Sequence, residues 1–136
     1  MRDLLTLPAF ASDDLFHVVV ESPRGSTVKL KWDPELGAMS ISRPLALGLS
    51  YPHDWGFVPS TKGPDGDPLD ALVFWDVSSF PGLVIPCRVL AVVQLEQKSP
   101  GPSRRTRAKR PPLGSAGHIS ARVRAFGRRA AAAGAR

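Results

Sequence analysis

The sequence predicts a mainly β protein, in which a small antiparallel barrel is followed by a basic, disordered tail. Short stretches rich in β-branched and aromatic residues recur between turn residues, and the 136-residue chain contains 14 prolines and 12 glycines that favour such turns. The charges are also divided sharply along the chain. A chain of this length is enough for one domain with a modest core.

Strands and turns alternate as far as residue 94. The predicted strands cover residues 16–21, 28–32, 39–42, 71–75 and 84–94. In the second of these strands, regular alternation places Lys29 and Lys31 on one face. Residues 33–37, which include a proline and a glycine, form the turn to the next strand. Several short strands separated by turns are typical of a small antiparallel barrel.

The charge pattern separates two segments. Residues 1–96 form the barrel portion and carry a net charge of −5, whereas residues 97–136 carry +11 and contain no acidic residue. The second segment is rich first in proline and arginine and then in alanine, arginine and glycine, without apolar periodicity. This composition predicts a basic, low-complexity, disordered tail, and a short helix near residues 130–133 would have no apolar face to dock.

Composition also indicates the cellular location of the protein. No apolar stretch is long enough to span a membrane as a helix, and the N-terminus lacks the pattern of a secretory signal. Cys87 is the single cysteine, so an internal disulfide is impossible and a reducing, cytoplasmic location is predicted. Because Cys87 lies in an apolar strand, we expect it to be buried by packing and not to be reactive.

The most informative motif is the hexapeptide at residues 65–70, DGDPLD, which carries Asp65, Asp67 and Asp70. Carboxylates this close repel one another unless a cation lies between them. Their oxygens are hard ligands that suit Mg²⁺, Mn²⁺ or Ca²⁺ better than zinc. Taken alone, an acidic hexapeptide with a glycine and a proline is more often a solvated turn. The motif therefore leaves a metal site and a surface turn as alternatives.

The surroundings of this hexapeptide resemble one protein family. Upstream are Glu21, Lys29, Arg43 and the block YPHDWGFVP at residues 51–59, and an apolar strand follows. In order and spacing, residues 15–96 resemble the soluble, magnesium-dependent family I inorganic pyrophosphatases. The resemblance implies an OB-like five-stranded barrel, incomplete here because the C-terminal part is lost. It also implies hydrolysis of inorganic pyrophosphate to two phosphates by metal-activated water, with Mg²⁺ as the cofactor and Mn²⁺ as its substitute.

The resemblance assigns the acidic residues to the metal and to the attacking water. Asp65 and Asp70 would bind metal ions, and Glu21 would assist through a water molecule. Asp67 would be the general base that helps to deprotonate the attacking water, a role for which a carboxylate between two others has a tunable protonation state. Without the resemblance, a glutamate at the end of a strand is equally well explained by simple solvation.

The resemblance assigns the remaining site residues to the substrate. Lys29 and Arg43 would bind the phosphates, the arginine as a bidentate fork, and Tyr51 would line the pocket. Trp55 stands where the family usually has a phosphate-binding tyrosine, and its indole offers a single N–H. Lys31 stands where the family commonly has a glutamate, which reverses one charge. The alternatives are exposed charges on a strand face for the cations and core packing for the aromatic rings.

We interpret the tail as the correct DNA read in the wrong frame. When residues 105–117 are shifted by one base, the genetic code permits the peptide ERERNDRLLAVPA, and the family carries a segment similar to RNDRLxAVP at this point. Residues 119–133 permit a second family-like segment, SAHEYEHSDDVRQLP, in the correct order. The slip would lie between Lys98 and Arg105.

Loss of the C-terminal part predicts an impaired enzyme. No acidic residue follows Glu96, so the further metal-binding aspartates that the resemblance implies are missing. We expect a weakly stable and poorly active chain, and a homo-oligomer only when the C-terminal part is intact. No membrane partner is expected. Two alternatives remain open: a polyanion- or nucleic-acid-binding module that uses the basic tail, and a calcium-binding loop protein that lacks the EF-hand spacing.

Overall fold

The structure is a computed structural model that describes residues 2–98 and 118–127, and these residues are mainly β. A short 3₁₀ helix at Leu4–Thr6 precedes the strands. The strands are β1 (Phe10–Ser12), β2 (Leu15–Ser22), β3 (Val28–Asp33), β4 (Ala38–Pro44), β5 (Asp54–Val58), β6 (Leu69–Phe74), β7 (Val84–Lys98) and β8 (His118–Gly127). Among the described residues there is no helix long and apolar enough to cross a membrane. The mainly β fold class is confirmed.

Strand β2 has partners on both sides. It pairs antiparallel with β5, where Val19 lies opposite Phe57, and with β7, where Phe16 lies opposite Cys87. Strand β5 pairs with β6, β6 with β8 and β8 with β7, so the pairings form a circuit through five strands. Strands β3 and β4 form a separate two-stranded sheet. This order places β5 between β2 and β6, the two strands that carry Glu21 and Asp70.

The buried core is built from β2, β5, β6 and β7, and most of its members are valines. Its members are Val18, Val20, Val58, Ala71, Val73, Ile85 and Cys87. β-Branched side chains suit the pleated surface of a sheet, and each one that is fully buried contributes about 1.5–3 kcal/mol of transfer free energy. Cys87 has no exposed surface, which confirms that packing buries it.

A close approach between β2 and β5 determines how the strands around the site are spaced. A Cβ atom on Gly56 of β5 would lie 1.8 Å from the carbonyl oxygen of Val19 on β2. Only glycine fits at such a distance, because real Cβ contacts with backbone atoms are much longer. The glycine therefore sets the separation of β2 and β5, and through β5 it sets the position of β6.

Two parts of the predicted tail differ from the expected disorder. Residues 97 and 98 complete β7, and residues 118–127 form β8 between β6 and β7. The physical reason is visible in the sequence: residues 119–125 alternate Ile, Ala, Val and Ala with Ser and two Arg, which is the period of a strand. The arginine-rich composition obscured this alternation. The predicted helix near residues 130–133, like residues 99–117, lies outside the described residues.

Candidate active site

A cleft of about 220 Å³ lies between the end of β2, strand β3 and the loop before β6. Four charged side chains line it, and they come from three separate parts of the chain: Glu21, Lys31, Asp67 and Asp70. Leu5, Trp32 and Phe57 are among its apolar lining residues. A small cleft that combines a few convergent charges with apolar walls is the usual form of a ligand site.

Glu21 is the most deeply buried acid of the cleft, with 7% of its surface exposed. Its Oε1 accepts a hydrogen bond from the backbone N–H of Trp32 at 2.9 Å, while Oε2 receives none from the described residues. Burial raises the pKa of Glu21, and the Trp32 hydrogen bond and the charge of Lys31 oppose that rise only in part. The backbone therefore fixes one carboxylate oxygen, and the described part of the chain offers the other no donor.

The acidic loop before β6 is shaped by its own backbone. Gly66 has a φ of +89°, in the region that favours glycine, and allows the chain to reverse. The N–H of Gly63 donates to the carbonyl oxygen of Asp67 at 2.6 Å, and the N–H of Asp67 donates to Oδ1 of Asp65 at 3.1 Å. The Asp65 carboxylate thus closes an Asx turn, and it does not line the cleft.

Asp70 lies on β6 directly opposite Phe57 of β5, and it faces the cleft. Burial raises the pKa of Asp70, and the neighbouring charges of Asp65 and Asp67 raise it further. The strongest opposing effect comes from the positive charge of Lys29. The positive charges of the protein therefore compensate the ionised form of Asp70 only in part.

Lys31 brings a positive charge into the same cleft. Its Nζ lies 3.7 Å from Oδ2 of Asp67. The two side chains are 53% and 67% exposed, so the pair is accessible to solvent. An exposed ion pair of this kind contributes at most about 1 kcal/mol to folding.

Lys29 and Arg43, the predicted phosphate-binding pair, lie directly opposite each other on β3 and β4. Opposite residues of an antiparallel pair project from the same face, so the two cations share one side of the hairpin. Neither lines the 220 Å³ cleft itself. The hairpin thus presents a positive edge close to Asp70, on which Lys29 acts electrostatically.

Tyr51 and Trp55 form an aromatic pair, with ring centroids 6.3 Å apart. The backbone of Tyr51 is held at both ends: the N–H of Gly25 donates to its carbonyl oxygen, and its own N–H donates to the carbonyl oxygen of Ser26. Trp55 lies on β5 opposite Ser22 of β2. Neither ring lines the cleft that contains the acids.

The structure brings together some of the predicted residues and separates others. Glu21, Asp67 and Asp70 share the cleft, whereas Asp65 holds its own loop. Within residues 2–98 and 118–127, no three His, Cys, Asp and Glu side chains form a preassembled metal-binding cluster. The predicted metal-binding and substrate-binding roles remain predictions.

Two contributors to the site were not predicted. Asp3 accepts a hydrogen bond from the indole Nε1 of Trp32 at 2.7 Å and so braces one wall of the cleft. Leu5, two residues later, lines the cleft directly. The sequence contains no signal for this contact, because the partners are joined only when the N-terminal segment packs on β3.

The comparisons with known proteins agree on one family. The family model described as inorganic pyrophosphatase matches residues 18–103, more than half of the chain. An inorganic pyrophosphatase of Thermus thermophilus is 41% identical over 102 residues, which are 74% of this chain and 58% of the relative. One from Streptomyces coelicolor is 43% identical over 86 residues, 63% of this chain and 53% of the relative. The chain thus spans a little more than half the length of these curated relatives.

Solved structures show the same similarity in three dimensions. The crystal structure of the Thermus thermophilus inorganic pyrophosphatase superposes with a TM-score of 0.71 at 31% identity, covering 93% of this chain and 62% of that one. The Helicobacter pylori structure gives a TM-score of 0.69 at 30% identity, covering 89% and 60%. These neighbours confirm the predicted OB-like fold class.

Proposed function

This chain belongs to the inorganic pyrophosphatase family, and from that membership we propose that its cleft is built to hydrolyse inorganic pyrophosphate to two phosphates. The observation that carries the proposal is the convergence of Glu21, Asp67 and Asp70 on one small cleft, beside the positive edge of the β3–β4 hairpin. Pyrophosphate is strongly anionic, so it needs cations on both sides and a positioned water molecule between them.

The chemistry of the acids fits a divalent metal ion, and family I pyrophosphatases are metal-dependent hydrolases. Glu21 and Asp70 are acids whose ionised forms are disfavoured by burial, and Oε2 of Glu21 has no donor among the described residues. Hard carboxylate oxygens suit Mg²⁺, with Mn²⁺ as a substitute. When bound, such an ion lowers the pKa of a coordinated water and neutralises phosphate charge. We assign Asp70 as a ligand in the cleft, Asp65 as a ligand through Oδ2, which its Asx turn does not use, and Glu21 as a ligand through water.

Asp67 is proposed as the general base. Its carboxylate is exposed at the edge of the cleft, between Asp65 and Asp70 in sequence, and is free of backbone hydrogen bonds within the described residues. It is therefore able to accept a proton from a water molecule that lies in the cleft. The backbone bond from Gly63 to the Asp67 carbonyl holds the residue in position.

The β3–β4 hairpin is proposed to hold the phosphates. Lys29 and Arg43 are paired across the hairpin, and the guanidinium can bind two phosphate oxygens at once. Tyr51 and Trp55 are proposed to form an aromatic wall beside them, in which the Trp55 indole N–H serves as a donor. All four residues precede the acidic loop in the sequence, and they lie in the segment that matches the family.

We further propose that the family sequence continues in frame to about residue 98 and is lost by a frameshift after it, with residues 1–96 as the barrel portion. The family match ends at residue 103, inside the interval 98–105 in which the slip is expected. On this proposal the chain as it stands is weakly stable and poorly active, and assembly into a homo-oligomer requires the restored C-terminal part.

A cytoplasmic setting is proposed together with the enzyme. A single buried cysteine is typical of proteins in a reducing compartment. Fractionation of the source cells, followed by detection of the chain, tests this location directly.

The test of the function compares two chains. The DNA for codons 95–136 is sequenced, and the chain is produced both as it stands and with the reading frame restored. We expect the restored chain to release phosphate from pyrophosphate only when Mg²⁺ or Mn²⁺ is present, and the present chain to do so much more slowly. A restored chain that folds but releases no phosphate with either metal would overturn the proposal. The matched relatives are named as inorganic pyrophosphatases, so nothing favours the nucleic-acid-binding alternative.

A further inference from the structure

Lys31 occupies an unusual position for a cation. Among the described residues that line the cleft, it carries the only amino group, and it is surrounded there by the carboxylates of Glu21, Asp67 and Asp70. Its Nζ lies 3.7 Å from Oδ2 of Asp67. We propose that Lys31 is a tethered cation that competes with the divalent metal ion for the acidic cleft and so sets the metal concentration that the site requires.

A contribution to folding stability does not explain the contact between Lys31 and Asp67. Both side chains of the Lys31–Asp67 pair are more than half exposed, and exposed pairs of flexible side chains contribute little to folding because solvent screens them and ordering costs entropy. The same exposure leaves the pair free to open. A cation that enters the cleft can therefore displace the ammonium group from Asp67 without disturbing the core.

The charge of Lys31 affects more acids than Asp67 alone. It also acts electrostatically on Glu21 and on Asp70, the other two acids of the cleft. A divalent ion that binds beside Glu21 and Asp70 meets repulsion from the charge of Lys31, and the ammonium group must leave Asp67 to relieve that repulsion. Both effects weaken metal binding, and both are removed when Lys31 loses its charge.

Lys62 provides a matched control. It belongs to the segment that leads into the acidic loop, and a Cβ on Gly66 would lie 4.0 Å from its Cε. Lys62 is exposed, makes no ion pair within the described part of the chain and does not line the cleft. It has the same charge close to the same loop, but it lacks the contact with a carboxylate.

The experiment measures the dissociation constant for Mn²⁺, from the electron paramagnetic resonance signal of the free ion, on the full chain without substrate. The variants are Lys31→Gln, Lys31→Arg, Lys62→Gln and Asp70→Asn. We expect Lys31→Gln to bind Mn²⁺ on the order of fivefold more tightly than the wild type, since this is the upper range for one exposed pair. Lys31→Arg, which keeps the charge, should match the wild type, and Lys62→Gln should change the affinity less than about twofold. Asp70→Asn should weaken binding.

The outcomes separate this inference from the proposed function on which it rests. If Asp70→Asn weakens Mn²⁺ binding but Lys31→Gln equals the wild type, the competition is overturned and the metal site stands. The competition is also overturned if Lys62→Gln tightens binding as much as Lys31→Gln does. If neither the wild type nor Lys31→Gln binds Mn²⁺, the metal site and the competition are overturned together. Far-ultraviolet circular dichroism of each variant shows that the fold is retained.

Discussion

The buried carboxylate of Asp54 accepts a hydrogen bond from the indole Nε1 of Trp75, 21 residues further along the chain. Asp54 is only 2% exposed, and its other oxygen accepts a hydrogen bond from the backbone N–H of Arg24 at 2.7 Å. A single acid thus joins the start of β5, the residue that follows β6 and the turn that follows β2. The two donors satisfy both oxygens of this buried side chain, as buried polar groups require.

Replacing Trp75 with phenylalanine should destabilise the chain by about 2–3 kcal/mol, because Oδ2 of Asp54 would be left buried without a donor. Urea unfolding followed by circular dichroism measures the loss. Trp32→Phe is the matched control: its indole donates to Asp3, which is only half-buried and can bind water instead. We expect Trp32→Phe to lower the free energy of unfolding by about 1 kcal/mol. Equal losses for the two variants would contradict the importance of burial at Asp54.

Replacing Gly56 with alanine should cost about 3 kcal/mol or more, because the new Cβ would overlap the carbonyl oxygen of Val19. Loss of the cooperative unfolding transition is the expected result. Gly25→Ala is the comparison, since no atom lies within 4 Å of its Cβ position and only its φ of +85° opposes the change. That strain costs about 1–2 kcal/mol. A milder effect at Gly56 than at Gly25 would show that β2 and β5 can move apart.

Replacing Glu21 with glutamine should stabilise the metal-free chain at neutral pH. The folded state raises the pKa of Glu21 above its ordinary value of 4.5, so ionisation opposes folding as the pH rises from 4.5 through the raised value. Below pH 4.5 the wild-type side chain is protonated in both states and the penalty vanishes. The glutamine keeps the acceptor for the Trp32 N–H. Melting temperatures with a chelator present should therefore differ at about pH 7 and converge near pH 4; a constant difference would contradict this account.

Replacing Asp67 with asparagine should lower kcat of the frame-restored chain by about 10²–10⁴-fold, the usual contribution of a general base. KM for pyrophosphate should change much less, because the amide keeps the size of the side chain. Steady-state phosphate release measures both constants. Asp13→Asn is the control, as Asp13 is an exposed acid in the turn before β2. A kcat within about tenfold of the wild type would rule out this role for Asp67.

Local pattern was sufficient to predict five of the eight strands of the described residues. Strands β2, β3, β4, β6 and β7 begin within two residues of their predicted starts. Strand β5 is missing from the predicted strands, because Pro52, Gly56 and Pro59 interrupt the apolar run and hide it. Its glycine is required by the backbone of β2, which is a tertiary constraint and leaves no trace in local periodicity.

The sequence predicted those parts of the site whose residues are adjacent in the chain. The acidic loop between Asp65 and Asp70 is recognisable from adjacent residues and from its resemblance to a family. The contacts of Lys31 with Asp67 and of Trp32 with Asp3 join distant parts of the chain, so no spacing rule predicts them. The separation of Asp65 from the cleft likewise depends on its hydrogen bond within the loop, which composition does not reveal.

The pairing of β2 has a consequence for how the protein is made. Val19 can pair only after Phe57 has been synthesised, and Phe16 only after Cys87 has been synthesised. At a synthesis rate of about 5–20 residues per second, several seconds pass between the emergence of β2 from the ribosome and that of β7. Until β5 emerges, the run of three adjacent valines in β2 has no strand paired with it, and one side of β2 stays unpaired until β7 follows. The order of synthesis therefore leaves β2 exposed until its partner strands are made, and slow codons before residue 87 would prolong that exposure.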